Sequence, residues 1–411
     1  MTMLSAIDAF FVAYQESSGV LMQIGVEVEL KGRITREDIE RMLLHVVKCW
    51  PPLGQRLRRD WLGLSWGGKP RLSEMLRVAE SRDGLAEWRN RPLNPFRETP
   101  FQVLWIEEDQ KNHLAFRAHH AVVDGEGFFE VCAEALRALA GKRAATDQTD
   151  LKNGSSRAVG IRDALQRVQR LRDEARSDKS ARIALRSNAP GPIAIVQRDL
   201  DRRQLGGWLC AAAWMKAIHR WNLLSGPTTS SLISLEVPVS LRRNRESHLS
   251  IGNQISPLVL YGDATLPLED LAQQLKQQMS RALRQQAHLA LPSLAAPAKF
   301  LPWEVFRLIV ASPELTGFAT SHFAWLEHAQ TIHDEVSRYS NGALQLVDQQ
   351  LYTPVCLHMG AAVAVLAWPE RAQVFLTHRL NALSTSDANL LLDLMVQELG
   401  AQHLNRQPVA V

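Results

Sequence analysis

Two adjacent histidines stand in the middle of residues 116–127, which read FRAHHAVVDGEG. His119 and His120 end an apolar segment that has the composition of a strand. Because neighbouring side chains of a strand point to opposite faces, one histidine can face the sheet interior while the other faces a cavity. A neutral imidazole at a cavity can withdraw a proton from a weak nucleophile, so the pair predicts general acid–base chemistry.

An Asp-Gly step follows the histidines at Asp124 and Gly125, with a further glycine at Gly127. We expect the two glycines to permit a tight turn that side chains would obstruct. Asp124 lies beyond the strand, where its carboxylate can bind a cation or cap backbone amides. The simpler interpretation is a buried histidine at a strand end, followed by an ordinary Asp-Gly turn.

Other reaction classes lack their usual motifs in this sequence. The chain has no G-x-S-x-G nucleophile elbow, no GxxxxGK[ST] phosphate loop, no G-x-G-x-x-G after a strand and no HExxH. Hydrolase, nucleoside-triphosphate, dinucleotide and zincin chemistry are therefore not indicated. Nothing in the sequence calls for a metal or a redox cofactor.

Length and composition describe a globular protein of more than one unit. The 411 residues suffice for two core-forming units of about 150 to 220 residues. A net charge of +4 does not indicate a nucleic-acid or membrane partner. The four cysteines are scattered without metal-ligand spacing, as in a reducing cytoplasm. We see no signal peptide in residues 1–18 and no apolar run of transmembrane length, so the expected location is cytoplasmic.

Hydrophobic periodicity predicts a mixture of strands and helices in both halves of the chain. The predicted strands are residues 22–30, 101–107, 114–119, 194–200, 232–239, 361–368 and 374–379. The predicted helices are residues 35–49, 128–139, 207–221, 268–289 and 386–399. Without a strict βαβ rhythm, this pattern favours an α/β fold of two α+β sandwich-like units.

The composition changes between the two halves, which suggests where they divide. Residues 162–186 carry eight basic side chains around a thin apolar stripe and predict an exposed basic helix. We therefore expect an N-terminal unit at residues 1–150, a basic helical linker at 151–190 and a C-terminal unit at 191–411. The basic stretch is either a solvated linker or a docking site for an acidic carrier protein or the phosphates of CoA.

The H-H-x-x-x-D-G string resembles the signature of the CoA-dependent acyltransferase superfamily. That superfamily includes chloramphenicol acetyltransferase-like enzymes, nonribosomal-peptide condensation domains, plant BAHD acyltransferases and bacterial wax ester synthases. Further along, residues 238–242 read PVSLR and are followed by Gly252-Asn253, an order similar to that of wax ester synthases. A weaker likeness is the Pro-Leu-Asn of residues 92–94, where that pattern has Asp. The resemblance covers nearly the whole chain.

The resemblance implies two chloramphenicol acetyltransferase-like subdomains in a V shape, with an active-site tunnel between them. In such an arrangement His120 projects into the tunnel as general base, and Asp124 pairs with an arginine across the junction. Arg242 is the candidate for that arginine, although Arg243 and Arg245 are also available. Asn253 is a further candidate for a structural or oxyanion-binding role. No covalent acyl-enzyme is required.

The third signature of these families is changed in this chain. Residues 320–325 read TSHFAW where wax ester synthases have SNVPGP, and BAHD enzymes end with DFGWG, which is absent. Ser321 could donate a hydrogen bond to a developing oxyanion, or it could be a satisfied hydroxyl at a strand end. The change leaves wax ester substrates in doubt.

Three functions are compatible with these residues. The first is transfer of an acyl group from a CoA or acyl-carrier-protein thioester to a small-molecule hydroxyl or amine acceptor, with the thioester as substrate and no bound cofactor. The second is a stand-alone condensation enzyme that acts on carrier-bound substrates. The third is a non-catalytic homologue that binds a carrier protein. The oligomeric state stays open, although both halves of the implied site lie on one chain.

Overall fold

The computed structural model describes residues 2–60, 63–108, 111–141, 166, 180–201, 205–226, 230–242, 251–295, 297, 301–311, 319–327 and 329–405. Its strands are β1 (Thr2–Met3), β2 (Gln23–Lys31), β3 (Arg56–Asp60), β4 (Gly63–Gly67), β5 (Leu76–Ala79), β6 (Phe101–Glu108), β7 (Lys111–His119), β8 (Ile193–Asp201), β9 (Leu232–Ser240), β10 (Ile255–Asp263), β11 (Ser321–Leu326), β12 (Gln345–Tyr352), β13 (Ala361–Ala367) and β14 (Arg371–Arg379). Its α-helices are α1 (Ala6–Ser18), α2 (Arg36–Cys49), α3 (Leu72–Met75), α4 (Gly84–Asn90), α5 (Gly125–Leu139), α6 (Gly207–Ser225), α7 (Leu268–Arg284), α8 (Ala290–Ala295), α9 (Trp303–Val310), α10 (Ala329–Tyr339) and α11 (Thr385–Asn405).

Two large sheets organise the molecule. The first has the order β12-β2-β7-β6-β5, and the second has the order β10-β9-β11-β13-β14-β8. A small third sheet has the order β1-β4-β3. Helices α2 and α5 pack together beside the first sheet, whereas α6, α7 and α11 pack beside the second. Each large sheet therefore supports its own hydrophobic core.

Strand β7 is the central strand of the first sheet, and the histidine pair lies at its C-terminal end. It pairs antiparallel with β2 on one side and with β6 on the other, and all but its first residue are buried. A buried Arg117 is tolerated within it because its guanidinium donates to the carbonyls of Trp88 and Arg91. The strand ends at His119, so His120 begins the turn that leads to α5.

The two halves of the chain share structure across their junction. Strand β12 lies late in the sequence, yet it pairs antiparallel with β2 of the first sheet. Ala324 and Phe375, from strands of the second sheet, belong to the same core cluster as the first-sheet residue Phe116. The second sheet therefore packs one face toward the first half.

The predicted strands and helices agree with the structure to within a few residues at most of their ends. The division at 150 and 190 stays a prediction, because residues 142–165 and 167–179 lie outside the described part of the chain. The expected basic helix at 162–186 falls largely in that gap, and residues 180–190 contain neither helix nor strand. Among the described residues, no helix is long and apolar enough to cross a membrane.

Candidate active site

Asp124 starts helix α5 and is the N-cap that the sequence allowed. Its Oδ1 accepts a hydrogen bond from the backbone N–H of Gly127 at 2.7 Å. Because a carboxylate at this position satisfies an otherwise unpaired amide, the helix begins at Gly125, three residues before the predicted start. The cap fixes the carboxylate at the junction between the halves.

The two glycines of the motif have different roles from those expected. Neither Gly125 nor Gly127 adopts a positive φ, so a tight turn does not require either of them. A Cβ at Gly125 would meet no atom within 4 Å, but a Cβ at Gly127 would lie 2.6 Å from the carbonyl oxygen of Ile251. Gly127 is therefore the position where the close approach of two backbones excludes a side chain. The expectation that Gly125 is needed for a tight turn was therefore wrong.

Asp124 and Arg242 form a bidentate ion pair across the junction. Nη1 of Arg242 lies 2.8 Å from Oδ2 of Asp124, and Nη2 lies 2.9 Å from Oδ1. The Arg242 and Asp124 side chains are only 4% and 0% exposed. The backbone N–H of Gln254 also donates to Oδ2 at 2.8 Å. Because the Arg242 guanidinium and the backbone N–H groups of Gly127 and Gln254 all donate to it, this carboxylate joins helix α5 to the second half of the chain. Arg243 and Arg245 lie outside the described residues.

His120 is held by Asn253, the asparagine of the Gly252-Asn253 step noted in the sequence. Nδ1 of His120 is 3.0 Å from Oδ1 of Asn253. The amide nitrogen of Asn253 donates to the carbonyl of His120 at 2.6 Å and to Oδ1 of Asp8 at 2.7 Å. Both of those partners accept hydrogen bonds, so the amide has one orientation, with Oδ1 facing the imidazole.

This orientation fixes the tautomer of the imidazole. Because Oδ1 of Asn253 only accepts, Nδ1 of His120 must carry the proton. Nε2 of the neutral ring then keeps its lone pair, as a general base requires. Phe11 of α1 stacks on the ring with a centroid distance of 3.9 Å and fixes its plane. The residue is 8% exposed, so its surroundings are largely desolvated.

The pKa of His120 is lowered from its ordinary value of 6.5, chiefly because burial disfavours the charged ring. The hydrogen bond to Asn253 and the charge of Asp124 act in the opposite direction. The charge of His322, on β11 of the second half, lowers the pKa further. His120 is therefore neutral at neutral pH.

His119 occupies the opposite environment, inside the protein. It is fully buried, and its Nδ1 accepts the backbone N–H of Ala121 at 3.0 Å. Burial lowers the pKa of His119 to about 3. We assign it a structural role at the end of β7.

The hydrogen bonds of Ser321 are made away from His120 and Asn253. Its hydroxyl accepts from Nε1 of Trp214 at 3.0 Å and donates to the carbonyl of Ala361 at 2.8 Å. Both contacts lie on the face of the second sheet that packs on α6. Its neighbour His322 points to the opposite face because side chains alternate along a strand. The expected oxyanion contact of Ser321 therefore has no support in these contacts.

Helix α1 contributes to the site although it was not among the predicted elements. It supplies Asp8, which holds Asn253, and Phe11, which stacks on His120. A signal was present, because Ser5 and Asp8 form a capping box before an apolar, aromatic run. No group of three metal-ligating side chains occurs within the described residues.

No family model and no curated protein matches the chain. Solved structures do match over nearly its whole length. One is a mutant of the starter condensation domain of rhizomide synthetase RzmA in complex with C8-CoA and Leu-SNAC, with a TM-score of 0.68 and 15% identity, covering 97% of this chain and 94% of that one. A second is the condensation domain from Monacolin K polyketide synthase MokA, with a TM-score of 0.70, 13% identity and coverage of 98% and 97%.

A third match is an acetyltransferase. TRI3 trichothecene 15-O-acetyltransferase from Fusarium sporotrichioides has a TM-score of 0.72, 12% identity and coverage of 97% and 94%. The chain therefore has the fold that condensation domains and this acetyltransferase share, with two chloramphenicol acetyltransferase-like halves. The fold class predicted from the sequence is confirmed. At these identities the comparisons establish the fold and leave the reaction to the site itself.

Proposed function

We propose that this protein is an acyltransferase that moves an acyl group from a CoA or acyl-carrier-protein thioester to a hydroxyl or amine acceptor. The observation that carries the proposal is the hydrogen bond between Nδ1 of His120 and Oδ1 of Asn253. It leaves Nε2 as a neutral, desolvated proton acceptor within a fold that acyl-transferring proteins use.

His120 performs both proton transfers in the proposed reaction. Nε2 takes the proton from the acceptor O–H or N–H as the oxygen or nitrogen attacks the thioester carbonyl. The tetrahedral intermediate then collapses, the C–S bond breaks, and Nε2 returns the proton to the leaving thiolate. The products are the acylated acceptor and a free thiol, and the imidazole is regenerated. No covalent acyl-enzyme is needed, since the base activates the acceptor directly.

The second sheet suggests a path for the donor. Strands β9 and β11 run parallel, but they pair at only two positions, Ser321 with Leu235 and His322 with Glu236. Both strands continue past these positions, where β11 keeps its pairing with β13 and β9 keeps its pairing with β10, but they no longer pair with each other. The two strands therefore separate toward the end of β9 that leads to Arg242. We place the pantetheine arm of the donor in this separation, where the predicted tunnel would run.

A condensation-type reaction on carrier-bound substrates is the alternative. Two of the matching folds are condensation domains, and one of them was crystallised with both C8-CoA and Leu-SNAC. Free and carrier-bound thioesters present the same pantetheine arm, so the His120 chemistry serves both. A non-catalytic homologue has no need for the fixed tautomer of His120, which argues against the third function. Partnership with a carrier protein and a cytoplasmic location stay predictions.

Release of free thiol tests the proposal. The purified protein is incubated with acyl-CoA donors of stepped chain length, with the same acyl groups on a carrier protein, and with pooled alcohols and amines. We expect thiol release that depends on an acceptor, and an ester or amide that mass spectrometry identifies. Release from carrier-bound donors alone would select the condensation-type reaction. No release from any donor, despite binding of a non-cleavable CoA thioether, would support the non-catalytic homologue.

A further inference from the structure

Glu236 and His322 form a polar pair on the wall of the second sheet that faces His120. They are register partners on β9 and β11, at the last position where these strands pair. Nδ1 of His322 lies 3.4 Å from Oε1 of Glu236, and the two side chains are 20% and 27% exposed. The pair therefore stands where the separation of the strands begins.

The face of the sheet that carries the pair is established by neighbouring residues. Leu235 and Phe323 belong to the core of the second half, beneath its helices. Since side chains alternate along a strand, Glu236 and His322 point to the other face. Ala324, on the same face as His322, packs in the core of the first half. The electrostatic effect of His322 on His120 is consistent with this placement.

Glu236 differs from other carboxylates of similar exposure in its partner. Seven glutamates that are 11–24% exposed each have an arginine or lysine nitrogen within 3.0 Å: Glu27, Glu29, Glu74, Glu98, Glu134, Glu335 and Glu398. Within the described part of the chain, the ion-pair partner of Glu236 is His322 alone. A half-buried carboxylate without an arginine or lysine retains a negative charge that a ligand can neutralise.

Among the residues that the structure describes, no arginine or lysine forms an ion pair that would neutralise Glu236. Its charge contributes to the raised pKa of Cys356, whose thiol stands beside Tyr14 of α1. Arg379 also acts on that thiol, but its guanidinium donates to the carbonyls of Leu357 and Ala189. The guanidinium of Arg379 is thus held by backbone carbonyls, and the carboxylate of Glu236 keeps His322 as its ion-pair partner.

We propose that Glu236, oriented by His322, binds a positively charged group of the acceptor. The acceptor then carries an amine, a quaternary ammonium or a guanidine in addition to the hydroxyl or amine that attacks the thioester. This inference rests on the proposed function and names the substrate class of the same site. His120 acts on the nucleophile, while Glu236 selects the molecule that bears it.

The test compares alcohols that differ only in charge. A series of linear alcohols ending in a trimethylammonium group is matched, spacer by spacer, with alcohols ending in the isosteric tert-butyl group. Each alcohol has a single nucleophile, so kcat/KM for ester formation reports recognition of the cation. For wild type we expect a preference of about tenfold or more for the charged alcohol at one spacer length, and we expect Glu236→Gln to abolish it.

Two controls separate this inference from the proposed function. Because Glu236 lies where the separation of the strands begins, the preference of wild type and of Glu236→Gln is each measured at saturating donor, with the slow hydrolysis of the thioester subtracted. Glu327→Gln removes an equal charge from an exposed position just beyond β11 and should leave the preference intact. Equal transfer to charged and uncharged alcohols would overturn the inference and leave the acyltransferase proposal standing. Absence of transfer to every alcohol and amine would overturn both.

Discussion

His119 and His120 are neighbours in the chain but hold opposite tautomers. Nδ1 of His119 accepts the N–H of Ala121, so the proton of its neutral ring is on Nε2. Nδ1 of His120 faces the accepting oxygen of Asn253, so its proton is on Nδ1. The end of β7 places one ring in the core and the other against the second half. Of the two rings, His120 is the one whose Nε2 keeps its lone pair, as the proposed base requires.

The pH dependence of acyl transfer should show this base. The rate requires neutral His120 and therefore falls as the pH decreases through its pKa. Since burial lowers that pKa, we expect the acid limb of kcat/KM to lie below pH 6.5. The measurement uses an alcohol acceptor, which does not titrate in this range. An acid limb above pH 7 would contradict the desolvated environment of His120.

Removal of the charge of Asp124 should destabilise the protein. Asp124→Asn leaves the buried guanidinium of Arg242 without its bidentate partner, and we expect the free energy of unfolding to fall by about 3–5 kcal/mol. Urea denaturation measures the change. Glu126→Gln is the matched control, because Glu126 contacts the same arginine at 3.3 Å from a position that is 48% exposed. That variant should lose less than about 1 kcal/mol. Equal stability of the two variants would refute the structural role of Asp124.

The two glycines of the motif should respond differently to alanine. Gly127→Ala places a Cβ against the backbone of Ile251, and we expect a loss of about 1–3 kcal/mol in thermal unfolding. Gly125→Ala meets open space and gains helix propensity, so its stability should be unchanged or raised by up to about 1 kcal/mol. The opposite ranking would show that the approach of α5 to Ile251 is not the constraint.

Asp8 is a positioning residue that acts on His120 through Asn253. Asp8→Ala removes the acceptor that orients the Asn253 amide, so we expect kcat to fall by about tenfold or more while the donor KM stays constant. Asp8→Asn keeps an accepting oxygen and should restore much of the rate.

Ser5→Ala is the control for helix stability in the same capping box. It weakens the start of α1 by about 1 kcal/mol without touching Asn253, so kcat should be unchanged. If Ser5→Ala lowers kcat as much as Asp8→Ala does, the effect of Asp8 is on the helix alone.

Local sequence patterns were enough to predict several strands of both large sheets and to identify residues 119–125 as a candidate site. The alternation in residues 22–30 and the apolar segment before His119 predicted two strands, which the structure pairs as neighbours in the first sheet. For Asp124 the sequence left cation binding and capping of backbone amides open, and in the structure it is the N-cap of α5. These features depend on residues close in sequence, for which periodicity and capping are reliable guides.

Features that depend on distant residues could not be predicted in this way. The pairing of β12 with β2 joins segments more than 300 residues apart, and no local pattern encodes it. Helix α6 packs on one side of β11, and this decides which of Ser321 and His322 points toward the second core. The strand sequence alone does not contain that information, so it left the Ser321 hydroxyl as an oxyanion candidate. The contact of α1 with Asn253 likewise arises only when the halves are assembled.

Acyl transfer by His120→Ala tests the central claim most directly. The variant is compared with wild type using one acyl-CoA and one acceptor, with circular dichroism to confirm the fold and a CoA thioether to confirm donor binding. We expect the rate of thiol release to fall by about 10²–10⁴ while the donor affinity is retained. A folded, donor-binding variant that keeps more than about a tenth of the wild-type rate would show that His120 is not the base.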